Sequence, residues 1–451
     1  MSRRERNTKL ALLIEEGGWS LTQMAAAVNR VANEAGASSL RYDQTAVSHW
    51  ISGTVPRPAA RPFIREALSR RVRRPVTYAE IGIPAPADKP GTCAGTSTLE
   101  ELMDLGRLDM DPSRRSVMRA GLYSVGLTIP AWPDVVGRMA AVQSGRAQRI
   151  GMADVDVVKE MTSRLADFDD DFGGRHARPL AASFLVNTLG PYLRADAPSD
   201  VRREMLSAAA FFCYITGWMA VDEALHGLAQ QYYVKALELA GAAEDYMTYC
   251  HVLRGMSVQA ADLGHGSSAV RLANAAADAA PSAAPRMRAF MVGQQAHAFA
   301  LAGDRTAALG AIRETEVAID KAESQAPRFG GFSPATLAYA TAQVRYHLGD
   351  VRGSVEALQL HFRLRDPSDR RRTAVLFGTL LGQRQWELGH REAACATWTQ
   401  VLDDYPHVSS GRADERVNAM RASLRPHLSN HAARAVFERA RTIVAARSTA
   451  V

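Results

Sequence analysis

Apolar residues along this chain recur at the three- and four-residue spacing of amphipathic helices, and no stretch before residue 83 alternates as a half-buried strand would. Leu10, Leu13 and Ile14 form the stripe of a first helix. The stretch "GGWSLTQMAAAVNR" opens a second. Ser20 and Gln23 have the S-x-x-Q spacing in which each side chain satisfies a free backbone N–H, and Trp19 and Met24 can close an apolar staple across that turn. The second helix therefore starts near residue 21. A third follows in "DQTAVSHWISGTVPRP", residues 43–58. Asp43 caps it, Ala46 or Val47 and Trp50 face inward, and Gly53 and the prolines end it. Gln44, Thr45, Ser48 and His49 are left facing outward.

After residues 83–101, a stretch rich in Pro, Gly, Ala and Thr without an apolar period, helical spacing dominates to the C-terminus, and the pattern repeats. "DLGHGSSAVRLANAAADAAP", "LAGDRTAALGAIRETEVAID", "HLGDVRGSVEALQLHFRLRD" and "ELGHREAACATWTQVLDDYP" each carry a glycine, a small residue five positions on and an apolar residue nine on. The glycines are Gly264, Gly303, Gly349 and Gly389, and a weaker copy places Ala224 in the same role. The glycine closes one helix in a left-handed turn. The small residue (Ala269, Ala308, Ser354, Ala394) lets the next helix approach, and the apolar one (Ala273, Ile312, Leu358, Trp398) fills the core between repeats. The expected division is a head over residues 1–83, a linker over 84–98, a helical connecting region over 99–204, repeats over 205–428 and a capping helix over 429–451. That last helix puts Ala433, Val436, Phe437, Ala440, Ile443 and Val444 on one face.

Charge sharpens the picture. Of the formal net charge of +7, residues 1–86 hold +6, from thirteen Lys/Arg and seven Asp/Glu. A basic excess confined to one small domain attracts a polyanion, and the run "REALSRRVRR" adds to it. The four cysteines lie far apart, with no zinc-ligand spacing, so no disulfide framework or metal site is expected. The apolar run over residues 205–221 reads as a buried core helix rather than a membrane span, and the N-terminus is too charged for a signal peptide. The twin-arginine look of residues 112–132 comes too far into the chain to direct export. The protein is expected to be cytoplasmic. No phosphate loop, zinc-protease motif, nucleophile elbow or dinucleotide turn is present, so no enzyme and no cofactor is expected. "DFDDDFGG", residues 167–174, lacks calcium-loop spacing and reads as a solvated helix end stopped by glycine.

The series Leu21, Ala25, Val47, Trp50, Gly53 and Pro56, with "SHWISGTVP", resembles the helix-turn-helix of Xre/Cro-type repressors over about residues 7–75. One departure is a longer segment between the second and third helices, residues 31–42. The repeats resemble tetratricopeptide hairpins, at intervals longer than that family's usual one. Together they resemble actinobacterial regulators of development and secondary metabolism, and more loosely the peptide-receptor regulators of quorum sensing. The fold class implied is all-α, a helix-turn-helix domain followed by an α-solenoid of tetratricopeptide-like hairpins. The resemblance implies binding of double-stranded DNA through Gln44, Thr45, Ser48 and His49, with Arg41 and Arg57 flanking. It also implies a homodimer and a repeat groove for a peptide or protein ligand. In the tetratricopeptide register that groove takes Tyr214, Trp218 and Arg254, then His297, Tyr339 and Gln343, then Tyr346, Gln383 and Trp386, with Phe211, His251 and Phe290 beside them. Seven of these twelve are aromatic, against 7% of the chain, and the alternative is that the rings only pack helix on helix. The alternative reading is a helical-repeat scaffold without sequence-specific DNA binding.

Overall fold

The computed structural model describes residues 6–35, 37, 40–85, 98–110, 122–125, 149–279, 283–322, 332–365 and 371–449. Most of the twin-arginine-like stretch and of the linker lies outside them. Among the described residues there is no strand, and an isolated bridge between Arg149 and Asp196 is the sole extended pairing.

The head begins with α1 (Thr8–Glu16), capped by the Asn7 side chain, and α2 (Leu21–Glu34). Both halves of the capping box form: the Gln23 N–H donates to Ser20 Oγ at 3.2 Å and the Ser20 N–H to Gln23 Oε1 at 2.9 Å. Asp43 accepts from the Ala46 N–H at 2.9 Å and starts α3 (Gln44–Ile51), which buries Val47 and Trp50 and gives way to Gly53 at φ 95°. α4 (Arg61–Val72) and the single turn α5 (Tyr78–Ile81) complete one small apolar core, with Leu10, Met24, Val28, Val47, Ile64, Leu68 and Ile81 all buried and Trp19 packed on its edge. The segment between α2 and α3 is shorter than the sequence implied, because α2 runs on through residues 31–34. The remainder is pinned at its end by Asn29, whose amide donates to the Tyr42 carbonyl at 2.7 Å and accepts from the Tyr42 N–H at 2.8 Å.

After α6 (Thr98–Met110), α7 (Met152–Phe172), α8 (Gly174–Phe184), a π turn (Leu185–Leu189) and α9 (Gly190–Arg194), the chain enters α10 (Ser199–Asp222). α10 is long and apolar enough to cross a membrane by length and composition, yet most of it is buried inside the fold. It pairs with α11 (His226–Ala242), and four more hairpins follow: α12 (Tyr246–Asp262) with α13 (Gly266–Asp278), α14 (Pro285–Ala302) with α15 (Arg305–Asp320), α16 (Pro334–His347) with α17 (Val351–Leu364), and α18 (Arg371–Glu387) with α19 (Arg391–Asp404). The turns are left-handed where the repeat pattern placed them, at Gly264 (φ 76°), Gly303 (85°), Gly349 (86°) and Gly389 (80°), and even Ala224 adopts φ 60°. The small residues Ala269, Ala308, Ser354 and Ala394 are each 0% exposed, as close helix approach requires. α20 (Gly411–Leu424) and α21 (His431–Thr449) finish the chain, with Ala433, Val436 and Ala440 of α21 buried against α19 and α20 as a cap. The α-solenoid is all-α, and α6 to α9 share one apolar core with its first hairpins instead of merely leading into them.

The array closes on itself. Arg372 of α18 reaches Asp169 (3.0 Å) and Asp170 of α7 and Asp222 of α10 (3.3 Å), while Ser410 donates to Asp222 at 2.8 Å. The Ser409 N–H donates to the Phe172 carbonyl at 2.7 Å, and the Gly174 N–H donates to Asp222 at 3.1 Å. The backbones meet so closely here that a Cβ on Gly173 would lie 2.4 Å from the Ser409 carbonyl oxygen, and one on Gly174 2.5 Å from that of Met219. The acidic stretch over residues 167–174 is therefore no solvated helix end, although Gly173 does stop the helix at φ 91°. Asp169 is 1% exposed, and its carboxyl group meets a guanidinium about two hundred residues away in sequence.

Candidate functional site

The outward face of α3 is built from side chains on which the head's core makes little demand. Gln44, Thr45 and His49 are exposed, Ser48 is half-buried, and Arg41 and Arg57 are exposed before and after the helix. Val47 and Trp50 fix its rotation, and the Tyr42 ring meets Trp50 edge-on at 5.2 Å. Gln44 Oε1 accepts from Thr22 Oγ1 of α2 at 3.1 Å, which ties the helix start to α2 and leaves the Gln44 NH₂ for an outside acceptor.

The basic run over residues 65–74 does not join this face. Arg65 lies over the Tyr78 ring at 4.8 Å and Arg71 over Trp19 at 5.6 Å, while Arg70 pairs with Glu66 (2.9 Å) and Glu34. Arg74 pairs with Glu80 (2.8 Å) and Glu16 (3.4 Å). The N–H and hydroxyl of Thr77, and then Arg74, hold Glu80 down to about 2. Arg73 has no hydrogen-bond or ion-pair partner among the described residues. The end of α4 faces the repeats, across a crevice walled on the far side by the start of α13. Most of the run is thus engaged in holding the head together, which the sequence could not show because its acidic and aromatic partners are dispersed from residue 16 to residue 80.

The inner face of the array brings together part of the expected groove. Tyr214 lies against His251 with ring centres 6.0 Å apart, and Arg254 sits over Phe290 at 3.9 Å. Arg254 has no carboxylate within 4 Å among the described residues, and burial lowers its pKa. His297 is buried and pulled down to about 4, first by burial and then by His347. Tyr339 stacks on Phe377 at 3.9 Å, and Arg412 lies over Trp218 at 5.9 Å while pairing with Asp262 at 2.7 Å. Gln343 is buried and receives Arg384, which also donates to Ser354 Oγ at 2.6 Å and lies over the Tyr346 ring at 4.3 Å. Burial pulls Arg384 down to about 10. Tyr346 and Gln383 both donate to Glu387 at 3.1 Å. Trp386 departs furthest: it packs on Trp398 at 5.6 Å and His427 at 5.2 Å, as part of the C-terminal core. Sequence reasoning missed Arg384, Arg412 and Arg416, the last of which donates to the Leu376 carbonyl at 2.6 Å. Arg412 and Arg416 lie on α20, outside the repeat pattern, so no register pointed to them.

Residues 10–84 match the family model of the SP15 N-terminal domain. The match spans the head from within α1 to just beyond α5 and none of the repeats. No curated protein matches the chain.

Proposed function

We propose that the protein is a DNA-binding transcriptional regulator, with α3 as the element that enters the major groove and the closed repeat array as the part that meets a partner or ligand. The observation that carries this reading is the α3 face: Gln44, Thr45 and His49 stand exposed on a helix whose rotation Val47 and Trp50 fix, joined to α2 through Thr22 and Asn29. Glutamine and threonine at the start of such a helix suit adenine edges, thymine methyls and phosphates. The head's excess of six positive charges supplies the long-range attraction. The likeness of the head to Xre-type helix-turn-helix domains, and of the repeats to tetratricopeptide hairpins, supports the same assignment. A single short helix reads few base pairs, so paired half-sites and a homodimer belong to the proposal.

The test is selection of duplexes by the full chain from a random pool, followed by binding of the winner. Gln44→Ala and Thr45→Ala are each expected to lower discrimination between selected and random duplex by about 1–3 kcal/mol. Trp50→Ala should instead unfold the head, at about 3–5 kcal/mol, which circular dichroism separates from a recognition defect. If no sequence is enriched, or both α3 variants discriminate as the wild type does, the protein is a scaffold and α3 reads no bases.

A further inference from the structure

Between the head and the array lies a crevice of 340 Å³ whose lining includes four arginines, Arg70 from the last turn of α4, Arg73 and Arg74 just beyond it and Arg271 from α13, and, among the described residues, no carboxylate. Ser267 and Ser268 add two hydroxyls, and they stand on the first turn of α13. His265, the N-cap residue, makes no capping hydrogen bond, so the N–H groups at the start of this thirteen-residue helix are left without a side-chain acceptor. His265 is instead stacked on Tyr123 at 5.5 Å, and its Nε2 is buried without a partner.

Two of the four arginines are committed within the head, Arg70 to Glu66 and Glu34 and Arg74 to Glu80 and Glu16. The other two are not. Arg73 is exposed with no partner among the described residues, and Arg271 makes one long contact of 3.4 Å to the Val125 carbonyl. Free guanidinium forks, two hydroxyls and the positive end of a helix on one wall are the donor set that recognises tetrahedral oxyanions. The volume is that of a small-molecule site and far too confined for a nucleic-acid duplex.

We propose that this crevice binds a small phosphate-bearing molecule, held by Arg73 from the head and by Arg271 and the first turn of α13 from the array. The ligand thereby bridges the two parts of the chain. A short strap, residues 122–125, already crosses the same joint: Ser124 donates to Glu66 at 2.9 Å and exchanges hydrogen bonds with Gln230 at 2.9 and 3.1 Å, and Arg70 donates to the Tyr123 carbonyl at 3.3 Å. Arg70 and Arg271 both line the crevice and touch the strap, so occupancy bears directly on how the head is held.

The inference is independent of what α3 binds, and its test uses no DNA. Inorganic pyrophosphate is titrated into the full chain by calorimetry and in thermal melts, with sodium chloride at matched ionic strength as the control. Saturable binding is expected, with a melting temperature that climbs with the logarithm of pyrophosphate concentration. Arg73→Ala and Arg271→Ala, both at exposed positions, should each weaken binding about tenfold while leaving the melt without pyrophosphate unchanged. A response no larger than that of chloride, or one that survives the double replacement, overturns the proposal.

Discussion

In the head, Arg74 meets Glu16 and Glu80 with all three side chains 42–49% exposed; in the array, Arg372 meets Asp169 and Asp222 with none above 7%. The first kind of pair stabilises little and is screened by salt. The second is costly to form and far costlier to break, because removing one partner leaves the other charge stranded out of water. The head therefore rests on a small apolar core and on local caps, with Glu66 as a buried charge that faces the joint with the strap. The array rests on its apolar cores and, in addition, on a closure that only the whole array can make. A defect in the head should stay local, whereas a defect at the clasp should be felt from α7 to α20.

The most damaging way to break this comparison is Arg372→Ala. It strands Asp169 and Asp222, and we expect the array to lose about 3–5 kcal/mol while the head melts as before. Near-ultraviolet circular dichroism of two versions of the chain, one with Trp19 as reporter of the head and one with Trp218 and Trp398 as reporters of the array, the other tryptophans being replaced by Phe, follows the two parts separately. A simultaneous loss in both would show that the head leans on the closed array.

Acid should separate them next. Burial holds His226, His265 and His297 down to about 4 and lowers His251 as well. Unfolded, these groups take up protons near 6.5. Between pH 6.5 and 4 the unfolded array thus binds more protons than the folded one, and stability falls as pH falls. Burial lowers His347 too, and it pushes Asp169, even against Arg372, and Glu415 up, which acts in the opposite sense, but they are two groups against five. Melts at pH 7 and 6 should differ by about 1–2 kcal/mol for the array. Within residues 1–86 the one histidine, His49, is exposed, so the head should change less over that interval.

The finest effect concerns Ala224, which sits at φ 60° where the later repeats have glycine. Ala224→Gly relieves the left-handed strain of an L residue and should stabilise the array by about 0.5–1 kcal/mol, after the added freedom of the unfolded chain is set against it. Denaturant unfolding monitors it, and a destabilised variant would show that the Ala224 methyl matters more for packing than for strain.

Signals confined to a few neighbouring residues were legible in the sequence. Ser20 with Gln23, Asp43 before Gln44, and the glycines at 264, 303, 349 and 389 announced helix ends because caps and left-handed turns are settled within four or five positions. The buried side of α3 was legible for the same reason, since Val47 and Trp50 fix which side chains remain outside. What went astray depended on distant partners. Arg70 of α4 and Arg74 just beyond it read as part of a free basic run until Glu16, Glu34, Glu66 and Glu80 were seen beside them. The sequence placed Trp386 in the groove without any sign that its ring also packs on Trp398 and His427.

The sequence by itself determined the all-α class, the helix boundaries that carry caps, the five-hairpin repeat and the concentration of positive charge in the head. Each of these follows from local backbone preference, apolar spacing or simple counting. The tertiary structure alone decided that the array closes, that Asp169 is buried against Arg372, and that Arg73 faces Arg271 across a crevice. Those outcomes depend on which charges share a low-dielectric or confined space. Residues hundreds of positions apart are brought there by the curvature of the packed hairpins, and no local pattern encodes that meeting.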